Sequence, residues 1–192
     1  MGLRFAFLVC SRDGTVDLTR PAGPDATADA MRRLFPRTPY RAVATRPLLE
    51  TCFPERTSPA IGAFDDGILI ATRDAHLYTP EILHGRYRKL TEWPVTRLIT
   101  SRSWNDMFAY GRWEGEELTR SISVNAVAGV VQDWGSPEGF EQSFAVAADN
   151  WLELTNAALA TSLKLVGDAG YSFDGEVDWD DVTLDVFERD DR

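Results

Sequence analysis

The chain contains few of the residue types that most often mark chemistry or cross-linking in a sequence. Its 192 residues include two cysteines, two histidines and two lysines. The cysteines, Cys10 and Cys52, lie in apolar, strand-like surroundings, and a chain of this length buries a core without needing a disulfide. The composition therefore predicts buried free thiols and excludes a disulfide framework.

The two histidines, His76 and His84, belong to no catalytic motif. A serine or cysteine nucleophile needs an oriented base beside it, usually histidine, and no Gly-x-Ser-x-Gly segment occurs. The histidines and cysteines also lack the short spacing of zinc ligands. We therefore expect both histidines to lie at the surface, and we predict no metal site.

Glycine-rich phosphate loops are absent too. No Gly-x-Gly-x-x-Gly follows the first apolar run, and no Gly-Lys-Ser/Thr occurs, so ordinary nucleotide-binding folds are not indicated. The acidic segment 174–181 is similar to a calcium loop, but Trp179 stands where the turn needs glycine and Asp185 where a bidentate glutamate is expected. We interpret this segment as a solvated acidic loop and predict no cofactor.

Long apolar runs are absent as well. The first run, Phe5 to Cys10, is short and is followed directly by Arg12 and Asp13, which does not fit a secretory signal. No stretch approaches the roughly 20 residues that span a bilayer. We therefore expect a soluble, cytoplasmic protein with no membrane partner.

Positive charge is in the minority, with 30 acidic and 20 basic residues and a formal net charge of -10. Such a chain repels a nucleic-acid backbone unless its basic residues gather on one face. The one dense basic group along the sequence is Arg86, Arg88 and Lys89, which we interpret as a solvated helix face. We predict no nucleic-acid partner.

The apolar patterning predicts one α+β domain covering residues 1–192, because no linker, repeat or low-complexity segment divides the chain. An apolar run from Leu3 to Cys10 predicts a central strand buried on both faces. The Asp65-Asp66-Gly67 segment between two apolar runs predicts a hairpin. Two further strands are expected, over 47–54 and 182–186. Three helices are expected: one over 28–35 with Thr27 as its cap, one over 80–90, and one that ends at Val166 and is followed by Gly167.

Residues 95–134 predict a four-strand meander, with strands over 95–101, 107–113, 118–124 and 130–134. Between the second and third strands, Gly115-Glu116 fits a two-residue type II′ turn that pairs Trp113 with Leu118 and Gly111 with Arg120. The expected fold is therefore a central, mostly antiparallel sheet, made of the hairpin and the meander, with about three helices packed against it.

Arg120 is the most informative residue of this meander. In the predicted register it is in phase with Ile122 and points toward the core, so it needs a carboxylate partner, for which Glu141 is the candidate. A structural tie is the favoured interpretation, and contact with a ligand carboxylate or phosphate is the alternative. The candidate binding residues are Asp106, Tyr110, Arg120, Ser121 and Glu141; no catalytic residue is indicated.

The meander also carries a family resemblance. Trp113-Glu114, Leu118-x-Arg120-Ser121-x-Ser123, Gly129-x-x-x-Asp133-x-Gly135 and Phe140-Glu141 follow one another in this order. This succession resembles an uncharacterised actinobacterial protein family, a domain of unknown function. The resemblance implies a shared fold and supplies no activity.

Three functional hypotheses follow from these patterns. The first is a non-enzymatic domain that binds a partner protein or a small molecule, because no nucleophile, metal or phosphate motif occurs. The second is a hydrolase-like enzyme that uses carboxylates or Arg120 at a cleft on the meander. The third is a homodimer that associates through the apolar turn Ala126-Val127-Ala128 or through an exposed strand edge.

Overall fold

A computed structural model describes residues 4–74, 76–165 and 177–190. The predicted helix end at Val166 and Gly167 and the start of the acidic loop lie outside these ranges. The strands are β1 (Arg4–Ser11), β2 (Tyr40–Pro47), β3 (Ala60–Phe64), β4 (Gly67–Ala71), β5 (Val95–Arg102), β6 (Met107–Glu114), β7 (Glu117–Asn125), β8 (Gly129–Gly135) and β9 (Thr183–Arg189). The α-helices are α1 (Pro24–Leu34), α2 (Leu48–Thr51) and α3 (Trp151–Leu163).

The nine strands form one antiparallel sheet in the order β2-β9-β3-β4-β1-β5-β6-β7-β8. The α+β class, the β3–β4 hairpin and the β5–β8 meander are confirmed. The sheet is larger than the predicted hairpin and meander, because β1 joins these two parts while β9 and β2 extend the sheet beyond the hairpin.

Strand β1 lies at the centre of the sheet, as its continuous apolar run predicts. Phe5, Phe7 and Val9 face a core that includes side chains of α3. The alternating residues Ala6 and Leu8 face a second core that includes side chains of α1. Because both faces of the sheet are covered, β1 has no solvated side and its residues alternate between two apolar layers.

The helices cover these two faces. Helix α1 starts at Pro24, not at the predicted Thr27 cap, since proline suits the first helical position and Gly23 precedes it with φ 94°. Helix α3 contacts β5 and β6 on the opposite face and ends where Lys164 adopts a left-handed conformation. None of the helices in the described ranges has the length and apolar character needed to cross a bilayer.

Two predicted elements are wrong. The expected strand over 47–54 is the short helix α2, because Pro47 has no N–H for a sheet ladder and ends β2. The expected helix over 80–90 is two separate 3-10 turns, Pro80–Ile82 and Gly85–Arg88. His84 separates them with an extended backbone, and its Nδ1 accepts a hydrogen bond from the N–H of Arg86, which caps the second turn.

The β6–β7 register also differs from the prediction. The turn at Gly115, with φ 60°, pairs Trp113 with Leu118 as expected. Beyond this pair, Thr119 is an extra residue in β7, and its hydroxyl donates to the carbonyl of Arg112. This bulge places Arg120 opposite Arg112, not opposite Gly111. Consequently Arg112, and Tyr110 in phase with it, lie on the same face of the sheet as Arg120.

Candidate anion-binding site

Arg120 and Glu141 form a buried ion pair, as predicted. Arg120 is 1% exposed and Glu141 is 7% exposed. The Arg120 Nε donates to Glu141 Oε1 at 2.9 Å, and Nη2 donates to Oε2, so that the pairing is bidentate. Nη1 donates to the carbonyl of Trp134 at 2.8 Å and lies 2.7 Å from a carboxylate oxygen of Asp133. Burial lowers the pKa of Arg120, but the hydrogen bonds and negative charges of Glu141 and Asp133 together outweigh it, so the pKa is raised.

A second ion pair network adjoins this one. Glu138 accepts from Arg97 Nη2 at 3.0 Å and from Arg112 Nη1 at 2.7 Å. The backbone N–H of Glu138 donates to Glu141 Oε1 at 2.8 Å, which joins the two networks. We call Arg97, Arg112, Arg120, Glu138 and Glu141 the meander cluster. Within it, each arginine has a carboxylate partner, which is the arrangement that buried charges require.

The other predicted site residues are not brought together. Tyr110 lies on the same face as the meander cluster, and burial raises the pKa of its hydroxyl, which has no hydrogen-bond partner among the described residues. The Ser121 hydroxyl faces the opposite side of the sheet and donates to Glu81 at 3.5 Å. Asp106, with φ 47°, ends the connection between β5 and β6. The predicted five-residue site is therefore divided between the two faces of the sheet and a loop.

Four other arginines converge at one end of the sheet. Arg4 is the first residue of β1, Arg102 is the last residue of β5, and the two are directly opposite in the ladder. Arg73 follows the end of β4, the neighbour of β1 on its other side. Because neighbouring strands are antiparallel, the start of β1 and the ends of β4 and β5 meet at the same end of the sheet. Arg56 joins them from the loop before β3. We call Arg4, Arg56, Arg73 and Arg102 the arginine cleft.

The loop that carries Arg56 is held to the start of β1. The N–H of Ala6 donates to the carbonyl of Cys52 at 3.1 Å, and the thiol of Cys52 donates to the carbonyl of Arg4 at 3.4 Å. Phe53 follows Cys52 and lines the arginine cleft. These bonds fix the loop, and therefore the Phe53 ring, against the central strand.

Aromatic rings hold the guanidinium groups in the arginine cleft. The guanidinium carbons of Arg4 and Arg73 lie 3.5 and 4.6 Å from the centre of the Phe53 ring, and that of Arg102 lies 3.8 Å from the Tyr78 ring centre. Such cation–π contacts position a guanidinium without using its N–H donors. The Arg102 Nε additionally donates to the Tyr78 hydroxyl, and its other N–H groups remain. The cleft, with a cavity volume of about 190 Å³, is therefore lined by preplaced donors.

The positive charge of the arginine cleft is poorly balanced. Asp74 is the one carboxylate among the described residues that line it. Glu55 lies 3.5 Å from Arg73 but its side chain is 83% exposed, so water weakens that pair. The Arg4 Nε is buried and has no hydrogen-bond partner within the described ranges. A buried donor without a partner, held beside several like charges, favours an anion as the missing partner.

The chemistry available in the cleft is binding rather than nucleophilic attack. Burial raises the pKa of Cys52 to about 11, so this thiol stays neutral near pH 7 and is a weak nucleophile. His76 and His84 are exposed, and neither lines the cleft. Both cysteines are free and buried, as the sequence predicts.

The sequence reasoning missed the arginine cleft. Its four arginines are far apart along the chain, and they become neighbours through the strand order. A signal existed, since Arg4, Arg73 and Arg102 each stand at the outer end of an apolar strand. The basic group that the sequence did single out is not a solvated helix face: Arg86 lines a pocket next to the cleft, and Arg88 lies 3.3 Å from Glu116.

Fold and site together define an antiparallel α+β protein with an arginine-lined cleft at the end of its central strands. The chain belongs to a family of unknown function, DUF6928, whose family model matches residues 7–187. No curated protein and no solved structure matches the chain. The expectation of an uncharacterised family is therefore confirmed.

Proposed function

We propose that this protein binds a small anionic ligand, one that carries phosphate or carboxylate groups, in the arginine cleft. The observation that carries the proposal is the convergence of four arginines around one aspartate in a chain of net charge -10. The proposal favours a binding domain over an enzyme, since the cleft offers donors and no activated nucleophile. The continuous sheet, from Arg4 to Arg189, supports treating residues 1–192 as one domain.

The pairing of Arg4 with Arg102 supports an anionic ligand most directly. Like charges placed directly opposite each other in a sheet destabilise it. An anion between the two guanidinium groups replaces this repulsion with charge-assisted hydrogen bonds, each worth roughly 1.5–3 kcal/mol. The cleft therefore gains more from an occupant than an electrically balanced pocket would.

Calorimetric titration with pyrophosphate and, separately, with citrate tests the proposal. Arg4→Gln and Arg102→Gln each remove one cationic donor and should weaken binding by roughly tenfold or more. Arg32→Gln is the matched control, because Arg32 is an exposed arginine on α1 whose partner is Asp29. It should change affinity by less than about twofold, apart from the general effect of net charge.

Preference between the two ligands identifies the anion, since pyrophosphate reports phosphate recognition and citrate reports carboxylate recognition. Failure of both to bind at millimolar concentration would contradict the proposal. Equal losses in the cleft variants and in Arg32→Gln would also contradict it, because they would indicate nonspecific attraction.

A second candidate function is homodimerisation through the β8 edge of the sheet. The neighbouring turn Ala126-Val127-Ala128 is exposed, with Val127 94% exposed, and Trp134 on β8 is 54% exposed. An exposed apolar edge strand favours pairing with another strand. Sedimentation should then show a dimer that Trp134→Glu dissociates, and a monomer at all concentrations would exclude this candidate.

A further inference from the structure

The arginine cleft adjoins a second pocket. The two share Arg56 and Asp74 as lining residues, and the second has a cavity volume of about 150 Å³. Three of its walls are the rings of Phe35, Tyr40 and Tyr87. Together the two cavities reach the lower end of the volume range of small-molecule sites, roughly 300 Å³. We call the second cavity the aromatic pocket.

Asp74, at the junction, keeps acceptor capacity for a ligand. One carboxylate oxygen accepts from the Tyr87 hydroxyl at 3.2 Å, and the other from the N–H of His76 at 3.3 Å. In the described part of the chain no arginine forms a salt bridge with Asp74, although arginines line both cavities. Burial, reinforced by Asp74, raises the pKa of Tyr87, so its hydroxyl remains a donor. Each carboxylate oxygen has a further lone pair for an N–H group.

In the aromatic pocket, Arg86 supplies a positively charged hydrogen-bond donor, whereas Asp74 supplies a negatively charged acceptor. Its guanidinium carbon lies 5.2 Å from the centre of the Phe35 ring, and its Nε is buried without a hydrogen-bond partner among the described residues. The pocket thus offers aromatic side chains, a carboxylate acceptor and an unpartnered guanidinium N–H. A planar ligand with N–H donors on one edge and acceptors on the adjacent edge satisfies all three.

We infer, on the basis of the proposed anion-binding function, that the ligand is a guanine nucleotide with its base in the aromatic pocket and its phosphates in the arginine cleft. Guanine carries N–H donors at N1 and N2, which suit Asp74, and acceptors at O6 and N7, which suit an arginine such as Arg86. Adenine has no O6 acceptor and no N2 amino group. Phosphate recognition here uses side-chain guanidinium groups in place of the backbone amides of a glycine-rich loop, consistent with the absence of such a loop from the sequence.

Calorimetric titration with four probes tests this inference: guanosine, adenosine and inosine 5′-diphosphates, and pyrophosphate, all in EDTA. Guanosine diphosphate should bind at least about tenfold more tightly than adenosine diphosphate or pyrophosphate. Inosine diphosphate, which lacks the N2 amino group, should lie between guanosine and adenosine diphosphates. Asp74→Asn should abolish the preference for guanosine diphosphate over adenosine diphosphate, while Asp65→Asn, in the exposed β3–β4 turn, should leave it unchanged.

The outcomes separate this inference from the proposed function. Equal affinity for all four probes overturns guanine recognition but leaves anion binding in the cleft intact. Absence of binding by every probe overturns both. If Asp74→Asn does not fold, the ratio of guanosine to inosine diphosphate affinity in the unmodified protein decides, and a ratio near one overturns the inference.

Discussion

The meander cluster and the arginine cleft use the same residue type in opposite ways. In the meander cluster, three arginines are paired with Glu138 and Glu141, both less than 10% exposed. In the arginine cleft, Asp74 lines the cavity without a salt bridge to an arginine in the described part of the chain, and the exposed Glu55 pairs with Arg73. Every arginine of the first group has a carboxylate partner and most of the group is buried, whereas the second group is largely unpaired and opens into a cavity.

This difference indicates which arginines support the fold and which are available to a ligand. A buried guanidinium that lacks a carboxylate costs several kcal/mol, so the pairs of the meander cluster are required for folding. The cleft arginines stay half-exposed or exposed, where water reduces that cost, and their aromatic neighbours fix their positions. Stability and binding should therefore respond separately to mutations in the two groups.

Removing a carboxylate from the meander cluster should have the largest effect. Glu141→Ala leaves the buried Arg120 without its bidentate partner and should lower the free energy of unfolding by about 3–5 kcal/mol. Urea denaturation measures the loss, with Glu117→Ala on the exposed start of β7 as the control. A loss below about 1 kcal/mol would mean that Asp133 and the Trp134 carbonyl suffice for Arg120.

A smaller loss of stability is expected from a substitution that crowds Arg97 in the meander cluster. Gly14 has φ 94°, and a Cβ there would lie 2.6 Å from Arg97 Nε. Gly14→Ala should therefore cost about 1–3 kcal/mol, from backbone strain and displacement of Arg97. Gly139→Ala is the matched control, since a Cβ at Gly139 meets nothing within 4 Å. Equal thermal stability of the two variants would show that Arg97 moves without cost.

The smallest change in stability should come from the arginine cleft. Arg4→Gln loses the contact with Phe53 but also relieves the repulsion from Arg102. The free energy of unfolding should therefore change by less than about 1 kcal/mol. Urea denaturation of the unliganded protein measures this change in the free energy of unfolding. A loss comparable to that of Glu141→Ala would remove the distinction between the two groups of arginines.

Most of the sheet could be predicted from local sequence. The meander and the hairpin follow from alternating apolar residues and turn residues, and β1 follows from its uninterrupted apolar run. The partner of Arg120 was also predictable, because an inward arginine needs a carboxylate nearby in the fold. The Thr119 bulge was not, since it depends on how β7 fits β6 and has no distinct sequence signature.

The arginine cleft could not be predicted, because it depends on strand order. Arg4, Arg73 and Arg102 are neighbours only when β1 is inserted between β4 and β5. Local patterns give strands but do not specify which strands pair. Likewise, the buried spacing of Leu83, Tyr87 and Leu90 is typical of a helix, although Gly85 and His84 divide that segment into two 3-10 turns.

Under the proposed function, the direct opposition of Arg4 and Arg102 at the end of the central strands would link occupancy of the cleft to the lifetime of the protein. A ligand bound only to the folded state raises the free energy of unfolding, by about 2.7 kcal/mol at one hundred times its dissociation constant. Because Arg4 begins β1 and Arg102 ends β5, the ligand would hold together two neighbouring strands that contribute side chains to both cores. Empty molecules would then open and be degraded by proteases sooner than occupied ones, so the abundance of the protein would follow the supply of its ligand.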